Sequence, residues 1–199
     1  MKKTVMALGF LLALPVAAQD VEVGVFAGRQ AYASAHTDVV PGGTLQVEAD
    51  TKTVWGLRLG YSLVDLGPAL FQVTAGYQPE TSTRLKGSLG GAPIGEGDLK
   101  ESHWSAGVMF NFKAVVAVGL GVEFRSESLK ETTDSTTYNR PWARLTLGYA
   151  FPTPGVKPFM GLEADFPLVS KSNEFGSTAD LLKSLAPKNQ IGIYAGLRF

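Results

Sequence analysis

The chain has no cysteine among its 199 residues. That excludes disulfides and every cysteine-based metal site, so the fold must hold by packing and hydrogen bonding alone. Histidine is nearly as scarce: His36 and His103 stand far apart, a poor basis for a metal centre. Lysine and arginine together number 18, matched by 18 acidic residues, with no basic stripe along the chain. Nucleic acid is therefore not an expected partner. Beyond the first residues there is no continuous apolar run of the roughly 20 residues that a membrane-spanning helix needs.

The beginning of the chain has the pattern of an export signal. Lys2 and Lys3 form a positive start, Val5 to Leu14 an apolar stretch, and Pro15 breaks it ahead of the small residues Ala17 and Ala18. The apolar stretch is too short to cross about 30 Å of hydrocarbon as a helix. Residues 1–18 are expected to be a cleavable signal peptide, removed after Ala18, and residues 19–199 a single domain. Export leads to a compartment where disulfides would be permitted.

What the chain does contain is alternation. Eight segments place an apolar residue at every second position: Val21–Gly28, Trp55–Leu63, Ala69–Tyr77, His103–Phe112, Val116–Arg125, Ala143–Phe151, Met160–Phe166 and Ile191–Phe199. A period of two is the strand signal. Each segment is about the 9–11 residues that a tilted strand needs to cross a bilayer. The other parity carries polar residues and, in every segment, glycine. Glycine weakens a strand that faces water. It suits the interior of a narrow barrel, where side chains must share little space.

The connections alternate too. Val64–Pro68, Lys113–Val115 and Pro152–Lys157 are short, whereas Ala33–Thr53, Gln78–Ser102, Ser126–Arg140 and Val169–Lys188 are long. Three short periplasmic turns and four long external loops are what eight transmembrane strands with both termini on one side require. Aromatics such as Trp55, Tyr61, Tyr77, Trp104, Phe112, Tyr149 and Phe151 cluster near segment ends, where interfacial girdles belong. The expected fold class is all-β: an eight-stranded antiparallel transmembrane β-barrel.

The closing segment, Ile191-Gly-Ile-Tyr-Ala-Gly-Leu-Arg-Phe199, resembles the last strand of small outer-membrane β-barrel proteins, the OmpA- or OmpX-like barrels of the porin-like superfamily. The resemblance implies the cell outer membrane of a Gram-negative bacterium. It also implies that Phe199 is the assembly signal read by the barrel-assembly machinery, and that membrane lipid and lipopolysaccharide are the surroundings. It does not select an activity, since membrane anchors, adhesins, small channels and lipid-modifying enzymes share this architecture.

Eight charged residues fall on the inward parity: Glu22, Arg58, Glu123, Arg125, Arg144, Glu163, Asp165 and Arg198. A confined lumen does not tolerate isolated charges, so they are expected to pair and fill it. Glu22 and Arg198 should meet where the first and last strands close the ring. The leading expectation is a monomeric, non-enzymatic structural or surface-interaction protein with a plugged lumen, and no cofactor or metal. A narrow porin-like channel for small, including apolar, molecules is the alternative, and a lipid-modifying barrel enzyme a third.

His103-Trp-Ser105 invites the enzyme reading, because eight-stranded lipid A deacylases use a His-x-Ser pair. There the pair faces lipid. Here Trp104 takes the outward parity and turns His103 and Ser105 inward, with no acid clearly placed to orient the histidine, Glu101 and Glu123 staying open. The loop carboxylates Glu48, Asp50, Glu96, Asp98, Glu131 and Asp134 match no calcium-loop spacing. Gly87–Gly97 is glycine-rich but lacks the lysine of a phosphate loop, and is expected to be a flexible external loop tip. Thr178–Leu185 opens on a capping residue and continues with helical spacing. That predicts a short helix in the fourth loop whose leucines cover the mouth, lie at the membrane interface or contact an apolar ligand.

Overall fold

The computed structural model describes residues 21–39, 43–113, 115–132, 134–170 and 174–199. The signal-peptide segment lies outside the described residues.

Among the described residues, ten strands and one helix follow in order: β1 (Val21–Tyr32), β2 (Ser34–Val39), β3 (Gly43–Ala49), β4 (Lys52–Asp65), β5 (Ala69–Leu89), β6 (Ala92–Lys113), β7 (Ala117–Lys130), β8 (Ser135–Ala150), β9 (Lys157–Pro167), α1 (Thr178–Ser184) and β10 (Pro187–Arg198). Eight of the strands close a ring. β4 to β9 pair each with the next, β9 pairs with β10, β10 with β1, and β1 with β4, all antiparallel. The fold is an eight-stranded antiparallel β-barrel.

Its polarity is inside out. Among the described residues, the outward parity between the two aromatic levels carries no charge and exposes Leu57, Leu59, Val108, Leu120, Leu147 and Ile193 with many others. In water such a continuous apolar surface would be an association site. On a barrel it is the lipid-facing band, about 25 Å tall. Aromatics mark its edges. Tyr77 and Trp104 pair across β5 and β6 with ring centroids 4.2 Å apart at one level, near Trp55 and Phe124. Tyr61, Phe110, Phe112, Tyr149 and Phe199 stand at the other, where the turns and both described termini lie.

The glycine parity faces inward, and the register explains why. A glycine lies directly across the ladder from four of the long lumen side chains: Gly24 and Gly76 flank Arg58, Gly107 faces Glu123, Gly121 faces Arg144, and Gly192 faces Glu163. At Gly148 a Cβ would collide with the Tyr194 hydroxyl, so any side chain there overpacks the lumen.

Three long connections differ from the expected loops. Gln78–Ser102 is a continuation of β5 and β6, whose hairpin runs about 40 Å along the strand beyond Tyr77 at roughly 3.3 Å per residue. The stretch 87–97, expected to be a flexible loop tip, is paired strand on both sides of a two-residue Gly90-Gly91 turn. Both glycines have positive φ (56° and 85°), the conformation a tight hairpin turn with the sheet's own twist requires. Ser126–Arg140 likewise extends β7 and β8. Ala33–Thr53 folds into the β2–β3 hairpin, and β3 pairs with the extension of β5. The result is a sheet standing beyond the lipid band on the side opposite the turns. A bulge between Gln78 and Thr81 shifts the parity of β5, so Thr83 and Leu85 turn inward above it.

Candidate functional site: the barrel lumen

From the turn end upward the lumen is built in four levels. At the first, Arg198 Nη2 donates to Glu22 Oε2 at 2.6 Å, joining the first and last strands across the closing seam. Gln72 Nε2 also reaches Glu22 (3.4 Å), and Asn111 donates to Gln72 Oε1 at 2.6 Å. Above them is a cavity of about 340 Å³, open at the turn end and lined by Thr74, Met109, Asn111, Thr146, Phe159 and Tyr194 among others.

The second level closes that cavity. Arg58 bonds Glu163 at 3.0 Å, Arg144 bonds Glu123 at 2.5 Å and lies 3.4 Å from Asp165, and Arg125 bonds both Glu123 and Asp165. Three guanidiniums face three carboxylates, none more than 9% exposed. Such charges are costly to bury, and only mutual pairing with good geometry offsets the cost. Arg125 also lies over the Trp142 ring, 4.0 Å from its centroid, a cation–π contact in a site shielded from water.

The third level is a hydrogen-bonded layer that sequence reasoning missed. Arg125 Nη1 donates to Gln190 (2.7 Å), Gln190 to Gln78 (2.8 Å), and Gln78 to Glu101 (2.7 Å), which also accepts from Gln30 (3.0 Å). Glu127 accepts from Arg140 Nε (3.0 Å) and from the Trp142 indole (2.9 Å). Gln78, Glu101, Glu127 and Arg140 fall in stretches read as loop, and Gln30, Trp142 and Gln190 just outside the strand segments, yet they continue the inward parity: Glu101 precedes His103 by two, Glu127 follows Arg125 by two, and Arg140 and Trp142 lead into Arg144. That continuation is the signal that could have found them.

His103 and Ser105 are in this region, both buried and inward. An acid does orient the histidine: Glu101 Oε1 lies 2.9 Å from His103 Nδ1. The other ring nitrogen, Nε2, and the Ser105 hydroxyl are both buried without a hydrogen-bond partner, so they do not bond each other.

The fourth level is apolar. Tyr32, Ala35, Leu85, Leu99, Leu129, Leu182, Leu185 and Ala186 form one buried cluster over the mouth. Leu182 belongs to α1 and Leu185 caps it; of the three placements open for these leucines, the structure shows the cover. The N-cap is Ser177 rather than Thr178: its hydroxyl accepts from Asp180 N at 3.2 Å, satisfying a donor that the first helical turn leaves unpaired.

The loop carboxylates do not converge. Asp50 pairs with Lys86 (2.7 Å), Glu96 lies 3.7 Å from Arg84, and Glu48 accepts from Gln46 (2.6 Å), all at exposed positions. His36 and Glu174 meet in an isolated parallel backbone bridge.

No family model matches the chain, and no curated protein matches it either. Among solved structures it is similar to Ail, the attachment invasion locus protein of Yersinia pestis. The identity is 15%, covering 92% of this chain and 99% of that one, with a TM-score of 0.35. At those values the likeness adds nothing to the fold assignment, which rests on the closed ladder of eight strands and the apolar exterior.

Proposed function

We propose that this chain is an outer-membrane barrel with a closed lumen, non-enzymatic, which presents the extended β2–β3–β5–β6 sheet as a surface for interaction outside the cell. One observation carries the reading: past the outer aromatic level the strands continue as ordered sheet, while the lumen beneath is occupied by paired charges and an apolar cover. Strands crossing lipid need a closed ring, since no water satisfies a free edge there, and such barrels belong to outer membranes. Lipid and lipopolysaccharide are the immediate partners, the barrel-assembly machinery acts during insertion through Phe199, and the barrel works as a monomer.

The absence of cysteine supplies a clean test. Ser88→Cys at the hairpin tip and Leu66→Cys in a turn each introduce a single thiol. A membrane-impermeant maleimide should label intact cells at position 88 and reach position 66 only after the outer membrane is permeabilised. Labelling in the reverse order would overturn the orientation, and labelling of both in intact cells would overturn insertion.

The channel reading has one observation in its favour, the cavity of about 340 Å³ open at the turn end. It ends at the Arg58–Glu163–Arg144 level. The enzyme reading draws on Glu101, His103 and Ser105, but the pair lacks the hydrogen bond between base and nucleophile that covalent catalysis uses, and it points away from lipid. Unchanged lipid A masses with and without the protein are the expected result.

A further inference from the structure

At the outer mouth, between the β1–β2 junction, β8 and the link from α1 to β10, lies a second cavity of about 240 Å³. Its polar wall is made of Arg140, Lys183, Lys188, Ser34 and Ser170, and no carboxylate lines it among the described residues. We propose that this cavity binds a phosphate monoester.

Arg140 forms its rigid floor. The residue is only 3% exposed. Its Nε is held by Glu127 and its Nη2 by the Pro187 carbonyl, and its guanidinium stands over the rings of Trp142 (4.9 Å) and Tyr138 (5.0 Å). Arg140 is itself a lining residue, so this fixed guanidinium stands at the cavity wall. Glu127 offsets the charge of Arg140, so the electrostatic character of the site comes from the two lysines. Lys183 is half-buried and Lys188 exposed, and neither is ion-paired among the described residues. Their two ammonium groups match the charge of a phosphate monoester, about −1.5 to −2 at neutral pH. The guanidinium N–H and the serine hydroxyls supply donors for its oxygens. The volume falls below the roughly 300 Å³ at which drug-sized sites begin, so it takes the phosphate and a few attached atoms rather than a whole lipid.

The phosphate can be a lipid headgroup group of the outer leaflet or belong to a soluble molecule. The test uses the full barrel, ¹⁵N-labelled, in phosphatidylcholine nanodiscs, which contain no phosphate monoester. Inorganic phosphate is titrated while the Arg140 Nε–H and Trp142 indole signals are followed. Saturable shifts at millimolar phosphate are expected, weakened at least tenfold in Lys183→Gln/Lys188→Gln and held within about twofold in Lys188→Arg. Heat-modifiable migration verifies that each variant is folded. Repeating the titration in nanodiscs containing lipopolysaccharide identifies the source: loss of the response means the lipid phosphate fills the site, and an unchanged response means a soluble ligand. Absence of saturable shifts in phosphatidylcholine, or shifts equal in the wild-type and double-variant proteins, overturns the proposal.

Discussion

Replacing Arg144 by alanine tests the charge level of the lumen most severely. Arg144 is 5% exposed and contacts Glu123, Asp165 and Glu163 at 2.5, 3.4 and 3.8 Å. Among the described residues, its removal leaves three carboxylates facing only Arg58 and Arg125, and it deletes the one guanidinium that contacts both Glu123 and Glu163. Breaking a buried pair by taking one partner costs about 3–5 kcal/mol, because the charge left behind is uncompensated. A typical domain has only about 5–15 kcal/mol in total, so the variant should lose a large part of its stability. Urea titration of the barrel in lipid vesicles, followed by heat-modifiable migration, gives the difference. Arg144→Met combined with Glu123→Gln removes one charge of each sign and should recover at least about 1–2 kcal/mol of that loss, a coupling within the range found for contacting residues. A loss below about 1 kcal/mol for Arg144→Ala, or no recovery in the double variant, would refute the view that the level is held by mutual charge balance. The single variant should also show more frequent channel openings, since the unpaired carboxylates must rearrange or draw in water.

Leu59→Arg places a charge on the lipid face at mid-strand and should cost about 2–4 kcal/mol in a refolding titration. Gly60→Ser should be far milder, because a Cβ there stays 3.3 Å from Glu22 and 3.5 Å from Gln72; the opposite order would mean that the faces are inverted. Gly148→Val should destabilise by about 1–3 kcal/mol through its clash with Tyr194, and Tyr194→Phe in the same background should relieve part of it, which the same titration reads. Deleting Phe199 should reduce insertion, measured as the heat-modifiable fraction in isolated outer membranes; normal insertion of the truncated chain would remove the residue from any assembly role.

The lipid-spanning part was legible because two constraints wrote the same period into it. Lipid demands an apolar residue outside at every second position, and the narrow lumen demands glycine or a paired charge between them. Trp55 to Leu63 shows both. The hairpin beyond Tyr77 obeys neither constraint. Its outward residues, such as Arg84, Lys86, Glu96 and Lys100, face water, and its glycines at 87, 90, 91, 95 and 97 resemble loop composition, so paired strands were expected to be loop. The same boundary hid half of the lumen. Glu101, Glu127, Arg140 and the glutamines at 30, 78 and 190 lie just past the last outward apolar residues, where one parity still faces a crowded interior and the other has already left the lipid. The pairing partners of the inward charges were legible only at Glu22 and Arg198, because closing the ring forces those two strands together. The remaining partners depend on strand tilt and shear, which a period of two does not encode.

The most direct test of the whole account is the current through the unmodified barrel in a planar bilayer. A lumen crossed by the Arg58–Glu163, Arg144–Glu123 and Arg125–Asp165 pairs and covered by Leu182 and Leu185 should pass no steady current at neutral pH. A large, stable conductance from the wild-type protein would contradict the closed lumen and establish the barrel as a channel.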